Sequence, residues 1–173
     1  MGNVVLVIAQ ENFQEKELID TKDALQSKGF KCDIASKTVE PAKGAFGLEI
    51  IPDITIEDAL IGLDMYKAFV FIGGGGAQSY FDDKEALGLA KLSYIKGKVT
   101  AAICIAPIIL AKAGILEGKK ATAWDGDSQQ SAYFNQHNIE FTGEDVTVDG
   151  NIVTANSPPA SKAFGEKIAE LLG

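Results

Sequence analysis

Apolar and polar positions alternate along the chain in strand-sized and helix-sized blocks. Asn3-Val-Val-Leu-Val-Ile-Ala9 is an apolar segment of strand length, the pattern of a strand covered on both faces. Residues 15–28 carry Leu18, Ile19, Ala24 and Leu25 at helical spacing and end at Gly29, a stop signal. Residues 31–36 then read as a second strand. A further strand region is predicted over 48–56, ending near Pro52, and Thr55 introduces a short helix over 56–63. Ala68-Phe-Val-Phe-Ile72 is a buried strand that runs into four consecutive glycines, Gly73 to Gly76. A helix over about 84–96 stops at Gly97, a strand follows over 99–104, and Pro107 opens an apolar helix over 108–113. Residues 121–124 are strand-like and lead into a loop of Asp, Gly, Ser and Gln. Asp149-Gly150 marks a hairpin between 146–148 and 152–154, and a last helix is predicted over about 161–172.

Strands alternating with helices, with one late hairpin, predict an α/β fold: a single-domain three-layer sandwich over 1–173 with a mainly parallel, flavodoxin-like sheet. The length of 173 residues suits one domain, and at that size a chain buries roughly 70% of its unfolded surface without help from a disulfide or a metal. The net charge is −8, and all 16 basic residues are lysines. Arginine makes the bidentate contacts to guanine and phosphate, so its absence argues against a nucleic-acid partner and against a phosphate or carboxylate clamp. The first ten residues are too short to cross a bilayer and carry no basic leader. Cys32 and Cys104 form no close-spaced motif, and the single histidine, His137, leaves no Cys/His zinc site. The expectation is a cytoplasmic protein with reduced thiols, no metal, no cofactor and no membrane partner.

In parallel sheets ligands bind beyond the carboxyl ends of the strands, where strand order reverses. Two features stand at such ends. The glycine run lacks the spacing and the lysine of a phosphate-binding loop. It remains open between a tight turn needing positive φ and a set of amides converging on an oxyanion. Cys104 stands between a strand and a helix start, the position of a nucleophile elbow. There a helix N-terminus would lower the thiol pKa; a structural cysteine is the alternative. Cys32, inside a strand, reads as core.

These segments carry a resemblance. Asn12-Phe-Gln-Glu-Lys-Glu-Leu-Ile19, Phe71-Ile-Gly-Gly74, Ala101-Ala-Ile-Cys-Ile-Ala-Pro107 and Val148-Asp-Gly-Asn-Ile-Val-Thr154 are similar to the ThiJ/PfpI superfamily, which is related to class I glutamine amidotransferases. The resemblance implies that Cys104 is the nucleophile and Glu17 its acidic partner, with Glu15 as an alternative register. It implies oxyanion donors at Gly74 and Ile105, with Gly75 as the alternative to Gly74, beside Gly73. Without it, Glu17 would read as a solvated carboxylate on a helix surface. The sequence departs from peptidase-like members of the superfamily: Ile105 stands where they carry a histidine, and Trp124 where others do. Trp124 is open between a core aromatic and a wall of the pocket over Cys104. His137 falls in a polar turn, so no Cys–His pair is expected.

The implied function is a cysteine-dependent stress or detoxification activity on small reactive carbonyls, of the glyoxalase III or deglycase type. The alternatives are a redox-responsive stress protein that senses oxidation at Cys104, a PfpI-type intracellular cysteine peptidase, and a silent scaffold. The implied partners are a small-molecule substrate and further copies of the chain in a homodimer or larger homo-oligomer. Phe13 and Phe46 are the expected exposed apolar residues, and Tyr80 and Phe81 the expected packing or interface residues.

Overall fold

The computed structural model describes residues 3–173. Its strands are β1 (Asn3–Val7), β2 (Glu11–Phe13), β3 (Lys31–Ser36), β4 (Ala42–Gly44), β5 (Glu49–Ile50), β6 (Ile54–Thr55), β7 (Tyr66–Phe71), β8 (Val99–Ile103), β9 (Lys120–Ala121), β10 (Glu140–Phe141), β11 (Val146–Asp149) and β12 (Ile152–Ala155). The helices are α1 (Glu15–Ser27), α2 (Ile56–Ile61), α3 (Lys84–Ile95), α4 (Pro107–Lys112), α5 (Gln129–Gln136) and α6 (Ser161–Leu172). Seven strands form the central sheet in the order β11-β12-β8-β7-β1-β3-β6. Every neighbouring pair is parallel except β11 and β12, the hairpin signalled by Asp149-Gly150. The chain leaves β1 for β3 on one side and returns to β7 on the other. The crevice that this reversal opens lies at the carboxyl ends of β1 and β7.

The apolar run of β1 is buried on both faces because each face meets a different helical layer. Val5 and Val7 pack with Phe69, Phe71 and Leu89 in one cluster. Val4 and Leu6 pack with Leu18, Leu25, Phe164 and Ile168 in the other. On the second face α1 and α6 approach so closely that a Cβ at Gly165 would stand 2.7 Å from the Ala24 Cβ. This close approach packs α1, which carries Glu17, directly beside α6. Thr55 begins α2 through a capping box with Asp58, which satisfies two helix-end N–H groups.

The structure corrects several sequence-based expectations. Residues 129–136 form α5 rather than a loop; its polar composition hides one buried ring, Phe134. His137 is the C-cap of that helix. Strand pairing at 121–124 is confined to β9, which pairs with β10 in a separate two-stranded sheet. Phe13 is fully buried, turned inward by β2, whereas Phe46 is 82% exposed. Cys32 is partly exposed rather than core. Tyr80 is a packing residue, buried with its hydroxyl donating to the Ile8 carbonyl at 2.8 Å. Among the described residues no helix is long and apolar enough to cross a membrane.

Candidate active site

Cys104 follows β8 directly and has φ +64°, a left-handed conformation that non-glycine residues seldom hold without support. The support comes from both sides. The Cys104 N–H donates to the Ala155 carbonyl at the end of β12 (2.9 Å), and the Cys104 carbonyl accepts from the Trp124 N–H (2.8 Å). The result is a sharp strand-to-helix turn with the sulfur at its apex, partly exposed.

Glu17 reaches the sulfur from α1. The buried positions of that helix are Glu17, Leu18, Thr21, Ala24 and Leu25, one stripe at 3.6-residue spacing. Glu17 is therefore an acidic residue on the apolar face. The start of the helix is fixed by Gln14, whose N–H donates to the Gly73 carbonyl (3.0 Å) and whose side chain accepts from the Lys16 N–H (2.8 Å). The Glu17 side chain is fully buried, and its Oε1 accepts from the Gly73 N–H at 3.0 Å. Its Oε2 is buried without a hydrogen-bond partner among the described residues; Cys104 is the neighbouring ionisable group, since a Cβ at Gly73 would stand 2.6 Å from both the Cys104 Cβ and Glu17 Oε1. Glu15 is engaged elsewhere, and both of its oxygens accept from the Phe46 N–H, at 2.8 and 3.1 Å. The structure thus brings Glu17, not Glu15, to the cysteine.

The glycine run is shaped by close approach. A Cβ at Gly73 would stand 2.6 Å from both the Cys104 Cβ and Glu17 Oε1. Gly74 has φ +98° and ψ 161°, and a Cβ there would meet Asn12 O and Gln14 N at 2.5 Å. Gly75 is exposed with open space around it. The N–H groups of Gly74 and Ile105 pull the Cys104 thiol pKa down, the direction expected of backbone donors near a sulfur. A phosphate cradle does not fit this run, because three of its members are pressed against protein atoms rather than opened to a ligand.

Burial raises the Glu17 carboxyl from an ordinary value of 4.5 to about 7, against the pull of the Gly73 N–H and the thiol. Burial and the Glu17 charge push the Cys104 thiol up to about 12, outweighing the Gly74 and Ile105 N–H groups. The direction is opposite to the lowering expected from a helix N-terminus, because burial and the neighbouring carboxylate both oppose the thiolate; helix α4 has only six residues. The resting sulfur is a thiol beside a carboxyl that titrates near neutrality. Thiolate absorbance near 240 nm is accordingly expected to appear at lower pH in Glu17→Gln than in the parent protein. Superimposable curves would mean that Glu17 does not act on Cys104.

Trp124 is not a core aromatic: it is 38% exposed. His137 is exposed, stacked on the Tyr133 ring at 4.0 Å with its Nδ1 2.7 Å from the Tyr133 carbonyl. Among the described residues no group of three acidic, cysteine or histidine side chains could hold a metal.

The sequence profile of the DJ-1/PfpI family matches residues 3–171. The chain belongs to the DJ-1/PfpI family. Among DJ-1/PfpI relatives, an uncharacterized protein of Methanocaldococcus jannaschii is 35% identical over 99% of this chain and 82% of its own. The protein of Pyrococcus furiosus named deglycase PfpI is 29% identical over 97% of this chain and 98% of its own. The crystal structure of a ThiJ/PfpI domain protein from Brachyspira murdochii superposes with a TM-score of 0.91 at 32% identity, covering 98% of this chain and 95% of that one. The central sheet and its flanking helices are those of the DJ-1/PfpI fold.

Proposed function

We propose that this protein is a cysteine-dependent enzyme acting on small reactive carbonyls, with Cys104 as nucleophile and Glu17 as its proton partner. The observation that carries the reading is the fully buried Glu17 carboxyl beside the left-handed elbow of Cys104, so close that a Cβ at Gly73 would stand 2.6 Å from both; Gly74 and Ile105, on either side of the pair, are the oxyanion donors in this reading. A family relative named a deglycase supports carbonyl chemistry.

For a 2-oxoaldehyde the residues support a complete sequence. The Glu17 carboxylate takes the thiol proton as sulfur bonds to the aldehyde carbon, and the carbonyl electron pair moves to oxygen. Gly74 and Ile105 N–H groups stabilise that oxyanion. Glu17 returns its proton to the oxyanion, giving a hemithioacetal. The carboxylate then removes the hydrogen of the former aldehyde carbon as a proton and delivers it to the adjacent carbonyl carbon, while the hemithioacetal hydroxyl proton passes to the adjacent oxygen, leaving a thioester of the 2-hydroxy acid. Water hydrolyses the thioester and restores the thiol. One carbon is oxidised and its neighbour reduced, so no external oxidant is consumed. A base with a pKa near the working pH suits this shuttle, which Glu17 at about 7 supplies in place of a histidine.

Methylglyoxal turnover is the test. Cys104→Ser is expected to reduce kcat/KM by roughly 10³-fold or more with an unchanged far-UV spectrum. In the parent protein kcat/KM is expected to rise as pH passes about 7, because Glu17 must be ionised to accept the thiol proton. Turnover that survives Cys104→Ser would end the proposal. A peptidase reading has no support in this geometry, since the one histidine is committed to Tyr133.

A further inference from the structure

The left-handed conformation of Cys104, φ +64°, persists only where the surroundings over-determine it. The hydrogen bonds that hold it close into a ring. The Cys104 N–H donates to the Ala155 carbonyl at 2.9 Å, and the Cys104 carbonyl accepts from the Trp124 N–H at 2.8 Å. Two residues before Trp124, the Thr122 N–H donates to Thr154 Oγ1 at 2.9 Å, and Thr154 precedes Ala155 on β12. Every hydrogen-bonding group in this ring belongs to the backbone except Thr154 Oγ1.

A side chain is needed there for a topological reason. Strand β12 pairs with β8 along one edge and with β11 along the other, so its backbone has no free edge for a third segment. Residues 121–123 lie instead over one face of β12. Ala121 and Ala123 share a cluster with Ile152, and Thr154 is on the same face as Ile152 because side chains alternate along a strand. Thr122 and Thr154 are both fully buried, so without Thr154 Oγ1 the Thr122 N–H would be left unsatisfied away from water. The Thr122 hydroxyl donates onward to the Glu144 carbonyl at 2.7 Å, which ties the segment to the loop before β11. The reaction proposed above uses neither threonine.

We propose that Thr154 is a positioning residue for the nucleophile: its hydroxyl stands in for a strand carbonyl, holds residues 122–124 against the sheet and, through the Trp124 N–H, keeps the Cys104 elbow in its left-handed conformation. The inference rests on the reading of Cys104 as the nucleophile, and it deepens that reading by naming what fixes the place of the sulfur.

Thr154→Val tests it, because valine keeps the shape of threonine and lacks the acceptor, whereas Thr154→Ser keeps the acceptor. Thr100→Val is the control. Thr100 is fully buried on β8, the strand that ends at the elbow, and its hydroxyl shares a 2.8 Å hydrogen bond with Ser93 Oγ. Two quantities are read: amide hydrogen exchange at Trp124, and the rate of Cys104 alkylation by iodoacetamide divided by that of Cys32, the other free thiol of the same molecule. Thr154→Val is expected to speed Trp124 exchange by about tenfold or more and to lower the Cys104-to-Cys32 ratio by about tenfold through misplacement of the sulfur. Thr154→Ser and Thr100→Val are expected to keep both quantities within about threefold of the parent. Thr154→Ala, which also lacks the acceptor, takes the place of Thr154→Val if the latter does not fold. Parent-like values in the variant without an acceptor, an equal loss in Thr154→Ser, or an equal loss in Thr100→Val would each overturn the inference. Its failure is separable from that of the proposed reaction, because neither readout needs turnover: a protein inert to methylglyoxal that still shows this pattern would sink the reaction and keep the positioning role.

Discussion

Glu17→Gln is expected to give a protein that is more stable and less active at the same pH. Glutamine has the same shape, and its carbonyl can accept from the Gly73 N–H as Glu17 Oε1 does at 3.0 Å. What it removes is a carboxyl whose ionisation the fold opposes. Glu17 titrates at about 7 in the fold against an ordinary 4.5, so the folded state holds its proton more tightly than the unfolded chain. Below pH 4.5 the carboxyl is neutral in both states and the fold has its full stability. As pH rises, the unfolded chain ionises first, and stability falls until the folded carboxyl ionises as well. At roughly 1.4 kcal/mol per pKa unit the total loss is about 3 kcal/mol, complete above neutrality. Glutamine cannot ionise, so its advantage should be near zero at pH 4 and approach about 3 kcal/mol at pH 8. Over the same range kcat/KM with methylglyoxal should fall by roughly 10²-fold or more, the scale of general acid–base help. Urea denaturation at the two pH values reads the first effect. A stability difference independent of pH would show that Glu17 is not held neutral by burial.

The parallel sheet was legible because apolar runs such as Val4 to Ala9 need cover on both faces, and the interruptions between them have helix spacing. Cys104 was legible for a related reason: a cysteine between a buried strand and a proline-led helix has few conformations open to it. Glu17 also left a signal in the sequence, since positions 17, 18, 21, 24 and 25 form one stripe and an acid on it must be buried. The stripe was obscured because Ile19, apolar by composition, lies 44% exposed.

Other features are set by tertiary contacts that local pattern does not carry. Helix α5 has too little apolar periodicity to announce itself, and it is held by Phe134 against the core. The direction of the thiol pKa shift is hidden for a similar reason: the field of a short helix is visible in sequence, whereas desolvation by two packed layers is not. Trp124 is ambiguous in sequence because its exposure depends on Gly126, a residue that matters through the space it leaves.

The glycine run offers the sharpest contrast between neighbours. Gly74→Ala is expected to be among the most damaging single substitutions in the protein, and Gly75→Ala among the mildest. At Gly74 the backbone has φ +98° and ψ 161°, a region that is essentially closed to residues with a Cβ and costs about 1–3 kcal/mol where it is forced. The added methyl would also meet Asn12 O and Gln14 N at 2.5 Å and the Phe13 carbonyl carbon at 2.8 Å. These are backbone atoms, so no flexible side chain can yield; the segment leading into α1 must move. A total destabilisation of about 3–5 kcal/mol follows, or roughly 10 °C in Tm at 2–4 °C per kcal/mol. The shift would move the Gly74 N–H, an oxyanion donor in the proposed reaction, and displace the start of the helix that carries Glu17. Loss of one such donor alone costs about 10²–10³ in kcat. At Gly75 nothing lies within 4 Å of a Cβ, so alanine should change stability by less than about 0.5 kcal/mol and leave turnover within about threefold. Thermal unfolding and methylglyoxal kinetics on the two variants check the contrast. Gly75→Ala as the more damaging variant would contradict the close backbone packing at Gly74 and the open space at Gly75.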